Sequence, residues 1–313
     1  MKTVTNKPIV TVIIVYYQAT NDLLNCLHCL SLLTDETSFE VIIVDNNPRL
    51  TKGETKQLTF KNISLTIIQN CKNLGFGQAN NIGARLAKGE YLFFLNPDTL
   101  PESGLVDKIV NFFKSHPQAG SVSPRQKHQD GKPYKIQGSL ELTPIRAIFS
   151  ESIIHTLWPN NPIAYKYFLK DLNPEQDQQV DAAPAGVCMI EKKAFDEIGG
   201  FDPKFFLFFE EHDLAQKLKK INKEVWLLAN QKITHIGEQS SQGKNVKYNK
   251  DKQEEIREKK SISTIFSESR YYYFYKYFGR GWAQLVNLIC SINKWHIILS
   301  CLILIYLLYL LLA

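Results

Sequence analysis

The sequence is poor in the residues that mark disulfide-stapled or fibrous proteins. Six cysteines in 313 residues are too few for a disulfide framework, and 16 glycines and 13 prolines exclude a collagen-like or low-complexity chain. Apolar residues make up 44% of the chain and charged residues 22%, which allows a hydrophobic core and excludes wholesale disorder. No apolar run follows Met1 to serve as a signal peptide, so we expect a reducing, cytosolic environment.

The formal net charge of +6 is unevenly distributed. Residues 244–296 contain 11 Lys and Arg against 5 Asp and Glu, which leaves 26 residues of each sign in residues 1–243. A neutral body argues against a nucleic-acid-binding protein, because such proteins carry a basic patch on the domain itself. The basic excess instead precedes the most apolar part of the chain.

That apolar part, residues 297–313, has the sequence IILSCLILIYLLYLLLA. As a helix it would be about 26 Å long, slightly less than the hydrocarbon core of a bilayer, and Trp295 can extend it. We expect residues 283–313 to lie in or span a membrane; a buried core helix is the alternative. The basic, aromatic residues 244–282 are expected at the headgroups of an anionic leaflet, with the body of the protein on the cytoplasmic face of the inner membrane.

Short β-branched runs alternate with amphipathic runs over the first 125 residues, which predicts an α/β domain with a mostly parallel sheet and helices on both faces. Residues 126–180 lose this periodicity and are interpreted as a variable excursion or lid. The domain is predicted to cover residues 1–243. Strands are predicted at 10–16, 40–44, 65–69, 91–95, 187–191, 225–228 and 233–236. Helices are predicted near 21–33, 52–60, 77–87, 105–115, 193–198 and 211–221.

Parallel sheets bind ligands at the carboxyl ends of their strands, so polar loops after strands are candidate sites. Asp45, Asn46 and Asn47 follow the second predicted strand, where a carboxylate and two amides suit a nucleotide base or ribose. A turn or helix-capping Asp is an equally good interpretation.

A glycine-bearing loop, residues 73–83, follows the third predicted strand and enters a helix. It allows close backbone approach to a ligand and offers N–H groups to anionic oxygens. It has neither the GxGxxG nor the GxxxxGK[ST] spacing, so neither a dinucleotide site nor a P-loop is indicated. The candidate ligand-binding residues of this loop are Asn73, Gly75, Gly77, Asn80 and Asn81.

Asn96 and Asp98 follow the apolar strand YLFFL. A carboxylate at a strand end suits a divalent cation that bridges to a diphosphate, because Mg²⁺ takes one or two protein carboxylates and completes its shell with phosphate oxygens. A turn Asp is the alternative. His235 ends a later strand, as either a metal ligand or a structural residue.

Glu210, Glu211 and Asp213 follow the aromatic run FFLFF. Desolvation and mutual repulsion should raise the pKa of one of these carboxyls and make it a usable general base near neutral pH. The alternative is that these are first-turn acids favoured by the helix dipole.

The order of these motifs resembles the inverting family 2 glycosyltransferases, especially the rhamnosyltransferase-like branch. The resemblance covers residues 8–240 and rests on VIIVDNN, NLGFGQANNIG, FFLNPD, the stretch 186–202, FFEEHDLAQKL and HIG. It implies a GT-A fold and transfer of a sugar from a nucleoside diphosphate donor to a hydroxyl acceptor.

The resemblance also implies roles for these residues. Asp45 would contact the pyrimidine base, and residues 73–83 would line the nucleoside pocket. Asp98 and His235 would bind Mg²⁺ or Mn²⁺ against the donor diphosphate, with Asn96 beside them on the donor side.

Glu211 would be the general base that accepts the proton of the acceptor hydroxyl, with Gly186, Glu210 and Asp213 on the acceptor side. Two positions depart from the family pattern: Asn96 stands where Asp is frequent, and Glu211 stands where Asp is usual. Because of these departures, a catalytically degenerate membrane-bound scaffold remains an alternative, and a nucleotidyltransferase is a second.

The membrane segment suggests a lipid-linked acceptor and a role in cell-surface polysaccharide synthesis, because tethering raises the local concentration of enzyme near such a substrate. The branch that the motifs resemble suggests a hexosyltransferase that uses thymidine-diphospho-rhamnose, with uridine-diphospho sugars as the next donors.

Overall fold

The computed structural model describes residues 7–17, 20–46, 63–134, 136–236 and 261–292. Three expectations fall outside these residues: the helix near 52–60, the role of Asn47 and the apolar segment 297–313.

The first part of the chain confirms the predicted alternation of strands and helices. Strands β1 and β4 and helix α3 begin and end at the predicted residues, and the other described elements that were predicted here differ by one residue at one or both ends. The elements are β1 (Val10–Tyr16), α1 (Thr20–Leu32), β2 (Phe39–Asp45), β3 (Ser64–Gln69), α2 (Phe76–Leu86), β4 (Tyr91–Leu95), β5 (Thr99–Leu100) and α3 (Leu105–Ser115).

The second part of the chain holds more regular structure than the sequence predicts. Residues 126–180 contain three short helices and a strand, and the two strands predicted near 225–228 and 233–236 are one strand, β9. The elements are β6 (Ala119–Lys127), α4 (Pro144–Glu151), α5 (Ile153–Leu157), α6 (Pro162–Tyr167), β7 (Gln178–Val180), β8 (Val187–Glu191), α7 (Lys192–Glu197), α8 (Glu210–Lys220), β9 (Glu224–His235), α9 (Ile262–Phe278) and α10 (Arg280–Ser291).

Strand β6 lies in the interior of the sheet, yet its sequence AGSVSPRQK looks like a loop. Its polar side chains are buried with partners: Ser121 Oγ lies 2.9 Å from Cys188 Sγ on β8. Gln126 exchanges hydrogen bonds with Gln137. Because these polar groups are paired, a strand without a hydrophobic pattern can be buried.

The described strands form one mixed sheet in the order β3-β2-β1-β4-β8-β6-β9-β5, with β7 paired to β9. Strands β1 to β4 are parallel, and β8 is antiparallel to both β4 and β6. Alternate residues of β1 lie on opposite faces of the sheet. Val12 and Ile14 pack with α1 and α3, and Ile13 packs with α2, α7 and α8. The predicted α/β sheet with helices on both faces is thus confirmed, but the sheet is mixed and not mostly parallel, because β5, β7 and β8 run antiparallel to their neighbours.

A third apolar cluster joins helices α9 and α10 to α4 and to the loop before α8. Tyr273 and Phe274 of the aromatic run are fully buried in it. The sequence analysis places this run at a lipid surface, whereas the structure packs these two rings on the domain. Among the described residues, no helix is both long enough and apolar enough to cross a bilayer.

Candidate active site

The candidate site lies at the carboxyl ends of β1, β2 and β4. Strand β1 has β2 on one side and β4 on the other, so the connections leave it in opposite directions and open a crevice at this edge of the sheet. Asp45 ends β2 and is fully buried, and Gln69 at the end of β3 donates a 3.2 Å hydrogen bond to it. Asn96 follows β4 at the same edge.

Asn46 organises the loop that the sequence analysis assigns to the donor. Its amide nitrogen donates to Asn73 Oδ1 at 2.8 Å and to the Gly75 carbonyl at 3.0 Å. Its amide oxygen accepts from Asn70 at 3.1 Å and from the backbone N–H of Leu74 at 3.0 Å. The sequence analysis considers Asn46, beside Asp45 and Asn47, for a nucleotide base or ribose, whereas the structure uses both ends of its amide within the protein.

Gly75 is where the donor loop meets the loop before α8. Its φ is +79°, and an added Cβ would lie 2.1 Å from the carbonyl oxygen of Phe206. That carbonyl accepts a 2.9 Å hydrogen bond from the N–H of Phe76. Only glycine fits here, because a side chain would meet backbone that cannot move aside. The sequence predicted a close approach to a ligand at this glycine, and the structure shows a close approach to the protein's own backbone.

The next residues of the loop also hold the two parts of the chain together. A Cβ on Gly77 would lie 2.9 Å from the Cβ of Phe201. Asn81 donates to the Phe201 carbonyl at 2.8 Å and accepts from its N–H at 2.9 Å, which uses both ends of the amide. Asn80 is buried and donates to the carbonyl of Phe76. Asn80 and Asn81, both predicted to bind the donor, therefore make contacts within the protein.

Asp98 and His235 are brought together by β5 and β9. The two strands pair Thr99 with His235, which puts His235 Nε2 2.9 Å from Asp98 Oδ1. His235 Nδ1 lies 2.9 Å from Oε1 of Gln126. With Nδ1–H donating to this oxygen, the Nε2 lone pair of a neutral imidazole faces the carboxylate. This arrangement is stable when a cation or a proton lies between the two groups.

The donor set suits a divalent cation that also binds a diphosphate. A carboxylate and an imidazole converge, and the second imidazole nitrogen is held by Gln126, as is usual for metal-binding histidines. No group of three His, Cys, Asp or Glu side chains is placed to hold a metal within the described residues. Within the described residues, Asp98 and His235 are therefore the two side chains that would hold such a cation.

Asn96 and Gly186 pack against each other beside this pair. The N–H of Asn96 donates to the Gly186 carbonyl at 2.7 Å, and an added Cβ on Gly186 would lie 2.5 Å from the Asn96 amide nitrogen. Gly186 thus leaves room for the Asn96 side chain.

Glu210 and Glu211 begin helix α8 after an unusual turn. Phe208 and Phe209 both have positive φ angles, 72° and 69°, which residues other than glycine adopt only at a cost in free energy. The turn directs Glu210 inward, where it is 5% exposed, and leaves the Glu211 side chain 33% exposed. Glu211 is therefore the carboxylate of the pair that an acceptor can reach.

The expected carboxyl with a raised pKa is Glu210. Burial, and then the charge of the adjacent Glu211, raise the pKa of Glu210 to about 8. Its Oε1 is buried and has no hydrogen-bond partner. At neutral pH Glu210 is therefore mostly protonated, so Glu211 is the charged member of this adjacent pair.

Asp213, predicted on the acceptor side, is 1% exposed and occupied by protein contacts. Lys276 and Tyr277 of α9 donate to its Oδ1, and Lys217 lies 3.1 Å from its Oδ2. The structure therefore places Asp213 between two helices.

Several residues near Glu211 come from the part of the chain to which the sequence analysis assigned no chemistry. Glu151 on α4 is buried with its Oε2 unpaired, and Arg270 lies 3.9 Å away. Burial, opposed by Arg270, raises the pKa of Glu151 to about 7. His212 lies 3.7 Å from Glu211 and 3.4 Å from the hydroxyl of Tyr167. His212 lies within the motif FFEEHDLAQKL, but no sequence pattern marks Glu151, Tyr167 or Arg270, because they come from separate segments.

The sequence of residues 11–199 matches the family model described as Glycosyl transferase family 2. The chain belongs to this family. The match contains the donor loop and the strand-end residues Asp45, Asn96 and Asp98, and it ends before the turn that carries Glu210 and Glu211.

Among curated proteins, this family 2 chain is 25% identical over 223 residues to N-acetylglucosaminyl-diphospho-decaprenol L-rhamnosyltransferase of Mycobacterium tuberculosis (strain CDC 1551 / Oshkosh). The alignment covers 68% of this chain and 71% of the relative.

Two solved structures share the fold. A mannosyltransferase from Pyrobaculum calidifontis in complex with GDP-Man and Mn²⁺ superposes with a TM-score of 0.52 at 14% identity, over 97% of this chain and 82% of that one. GalNAc-T7 with UDP, GalNAc and Mn²⁺ superposes with a TM-score of 0.55 at 17% identity, over 74% of this chain and 44% of that one. The family 2 chain thus has the GT-A fold and is a glycosyltransferase by family.

Proposed function

We propose that this protein is an inverting, metal-dependent glycosyltransferase that moves a sugar from a nucleoside diphosphate to a hydroxyl group. The observation that carries the proposal is the contact between the donor loop at Gly75 and the loop before α8 at Phe206. This contact joins the two halves that the reaction needs, a diphosphate site with Asp98 and His235 and a reachable carboxylate at Glu211.

Asp98 and His235 would hold the cation. When bound, the cation stabilises the negative charge that develops on the leaving diphosphate. Because one ligand is an imidazole nitrogen, Mn²⁺ suits the pair better than Mg²⁺, which is bound through oxygen. Both fold neighbours described above contain Mn²⁺, which supports this choice.

Glu211 is the proposed general base. It accepts the proton of the acceptor hydroxyl as that oxygen attacks the anomeric carbon on the face opposite the departing diphosphate, so the configuration at that carbon is inverted. The neutral state of Glu210 supports this role, since it leaves the charge of this pair on the more exposed neighbour.

The proposed donor is thymidine-diphospho-rhamnose, with uridine-diphospho sugars as the next candidates. The acceptor is a lipid-linked glycan, and the process is cell-surface polysaccharide synthesis. The M. tuberculosis relative supports both choices, because its name combines a rhamnosyl transfer with a diphospho-polyprenol acceptor.

The protein is proposed to act at the cytoplasmic face of the inner membrane. Helix α10 supports this, because Trp282, Leu285 and Leu288 are 42%, 43% and 66% exposed on one side of it, and exposed apolar stripes of this kind mark interaction surfaces. In flotation with anionic vesicles, replacing Leu285 and Leu288 by Glu should lower the bound fraction. Leu86→Glu on α2, at a residue 54% exposed, is the control and should bind like the parent.

The test of the catalytic proposal is release of nucleoside diphosphate from a panel of TDP-, UDP- and GDP-sugars by the full chain in detergent, with membrane lipid extract as acceptor. We expect release from one donor, dependent on Mn²⁺ and on lipid. Asp98→Ala should lower this release by about 100-fold or more, because several kcal/mol of charge stabilisation are lost.

The matched control is Asp130→Ala, which removes an exposed carboxylate paired only with Lys132 in a turn. It should leave release unchanged. If no nucleotide sugar binds with or without Mn²⁺, the proposal fails and the protein is a scaffold with a transferase fold.

A further inference from the structure

The turn at Phe208 and Phe209, here called the base-bearing turn, leads into Glu210 and Glu211. Helix α9 contacts the chain both before and after this turn. Before the turn, Ser269 donates a 2.8 Å hydrogen bond to the carbonyl of Leu207. After the turn, Tyr277 donates to Asp213 Oδ1 at 2.7 Å. The ring of Phe266 lies against those of Phe208 and Phe209, with centroids 5.3 Å and 5.2 Å apart. The turn is therefore enclosed by a helix that lies outside the matched family residues 11–199.

Lys276 is the central residue of this contact. Its ammonium lies 2.6 Å from Asp202 Oδ2 and also contacts Asp213 Oδ1, so one cation ties the start of the loop to the first turn of α8. Tyr272 adds a 2.9 Å hydrogen bond to Asp202. Burial opposes the charge on Lys276, yet its hydrogen bonds to Asp202 and Asp213 raise its pKa. The lysine is charged at all physiological pH values.

The turn needs such support because its backbone is strained. Two consecutive residues with side chains hold positive φ at Phe208 and Phe209, and each costs about 1–3 kcal/mol. Such a conformation persists only where the surroundings determine it. The residues that determine it here are on α9, which packs against the two rings and against the backbone just before them.

We propose that Lys276 is a positioning residue, which, through Asp202 and Asp213, holds the turn that presents Glu211 to the acceptor. The inference rests on the proposed role of Glu211. Asp213 is two residues from Glu211 on the same first turn of α8, so displacing Asp213 moves the base. A displacement of about 1 Å costs roughly 100-fold in rate, since proton transfer requires the base within hydrogen-bond reach.

Removing Lys276 should leave the fold intact. Lys217 on α8 still compensates the charge of Asp213, and Tyr277 still donates to it. The aromatic packing of α9 through Tyr273 and Phe274 is also unchanged. The expected loss is therefore one of geometry at the turn.

The test compares three full-length variants. Lys276→Met should lower kcat by about 10- to 100-fold while the KM for the donor stays within about twofold. Lys276→Arg keeps a cation that reaches both carboxylates and should recover most of kcat. Lys219→Met, which removes an ion pair to Glu141 on the exposed side of α8, is the control and should match the parent.

Hydrogen exchange gives a second measurement that does not depend on turnover. Lys276→Met should speed exchange in residues 207–213 and leave residues 76–86 unchanged. The proposal is overturned if kcat and exchange of Lys276→Met match the parent, or if its donor KM changes together with kcat. It is also overturned if Lys276→Arg has a kcat as low as that of Lys276→Met. If the parent binds donor but shows no turnover, the proposed function has failed, and the exchange result alone decides whether Lys276 holds the turn.

Discussion

The donor side and the base side of this site are built in different ways. The loop proposed to bind the donor, residues 73–83, is held by neutral amides: Asn46 bonds to Asn73, and Asn73 and Asn81 bond to backbone. The base-bearing loop, residues 201–213, is held by charge and aromatic packing from α9, with two strained residues at its centre.

This difference has a chemical reason. A loop that receives a diphosphate needs a fixed backbone and gains nothing from negative charge, so amides and glycines suit it. A carboxylate that acts as a general base must lie at a partly buried surface. It must also be kept away from other charges and held in place. The first requirement is met by an amide at the end of β2 and by contacts with residues 201–206, and the second by a helix more than 50 residues later along the chain.

The largest effect is expected on the base side. Glu211→Gln removes the proton acceptor without changing the shape of the side chain, so turnover should fall about 100- to 10,000-fold. Donor binding with Mn²⁺, measured by calorimetry, should stay within about twofold of the parent. A variant that keeps its turnover would show that Glu211 is not the base.

The contact between Gly75 and Phe206, which joins the two sides, gives the next largest expected effect. Gly75→Ala places a methyl group against the Phe206 carbonyl and should lower the free energy of unfolding by about 2–4 kcal/mol, measured by urea denaturation. Gly104→Ala is the matched control, because Gly104 has a φ of +81° but nothing within 4 Å of an added Cβ. In Gly104→Ala the free energy of unfolding should fall only by the cost of the positive φ, about 1–2 kcal/mol. Equal losses would mean that the close approach at Gly75 has no energetic consequence.

The smallest effect concerns the buried acid of the base side. The raised pKa of Glu210, about 8 against an ordinary 4.5, means that the folded protein keeps a proton that the unfolded chain releases. This contribution to stability is complete below pH 4.5 and is lost as the pH rises towards 8. Glu210→Gln, which cannot ionise, should gain on the order of 1–3 kcal/mol relative to the parent between pH 5 and pH 8.5.

Urea denaturation at several pH values measures this gain. The control is Glu197→Gln, at an exposed position at the end of α7, which should follow the parent at every pH. A constant difference between Glu210→Gln and the parent would show that Glu210 does not carry the buried proton.

The strand-end residues could be predicted because their position follows from local pattern. A β-branched run followed by Asp45, or by Asn96 and Asp98, predicts a strand and its end, and in a parallel sheet such ends meet at one edge. Strand β6 could not be predicted, because its buried, paired polar groups leave no hydrophobic period in the sequence. The helices of residues 144–167 were also not predicted.

By itself, the sequence determined the family, the α/β sheet and the types of residue at its carboxyl edge, because these depend on periodicity and on short motifs. Only the tertiary structure decided which carboxyl is buried, that Asn81 and Asp213 bind the protein itself, and that Lys276 of α9 contacts both Asp202 and Asp213. The physical reason is that burial, strain and ion pairing depend on neighbours distant in the chain, and no local pattern specifies those neighbours.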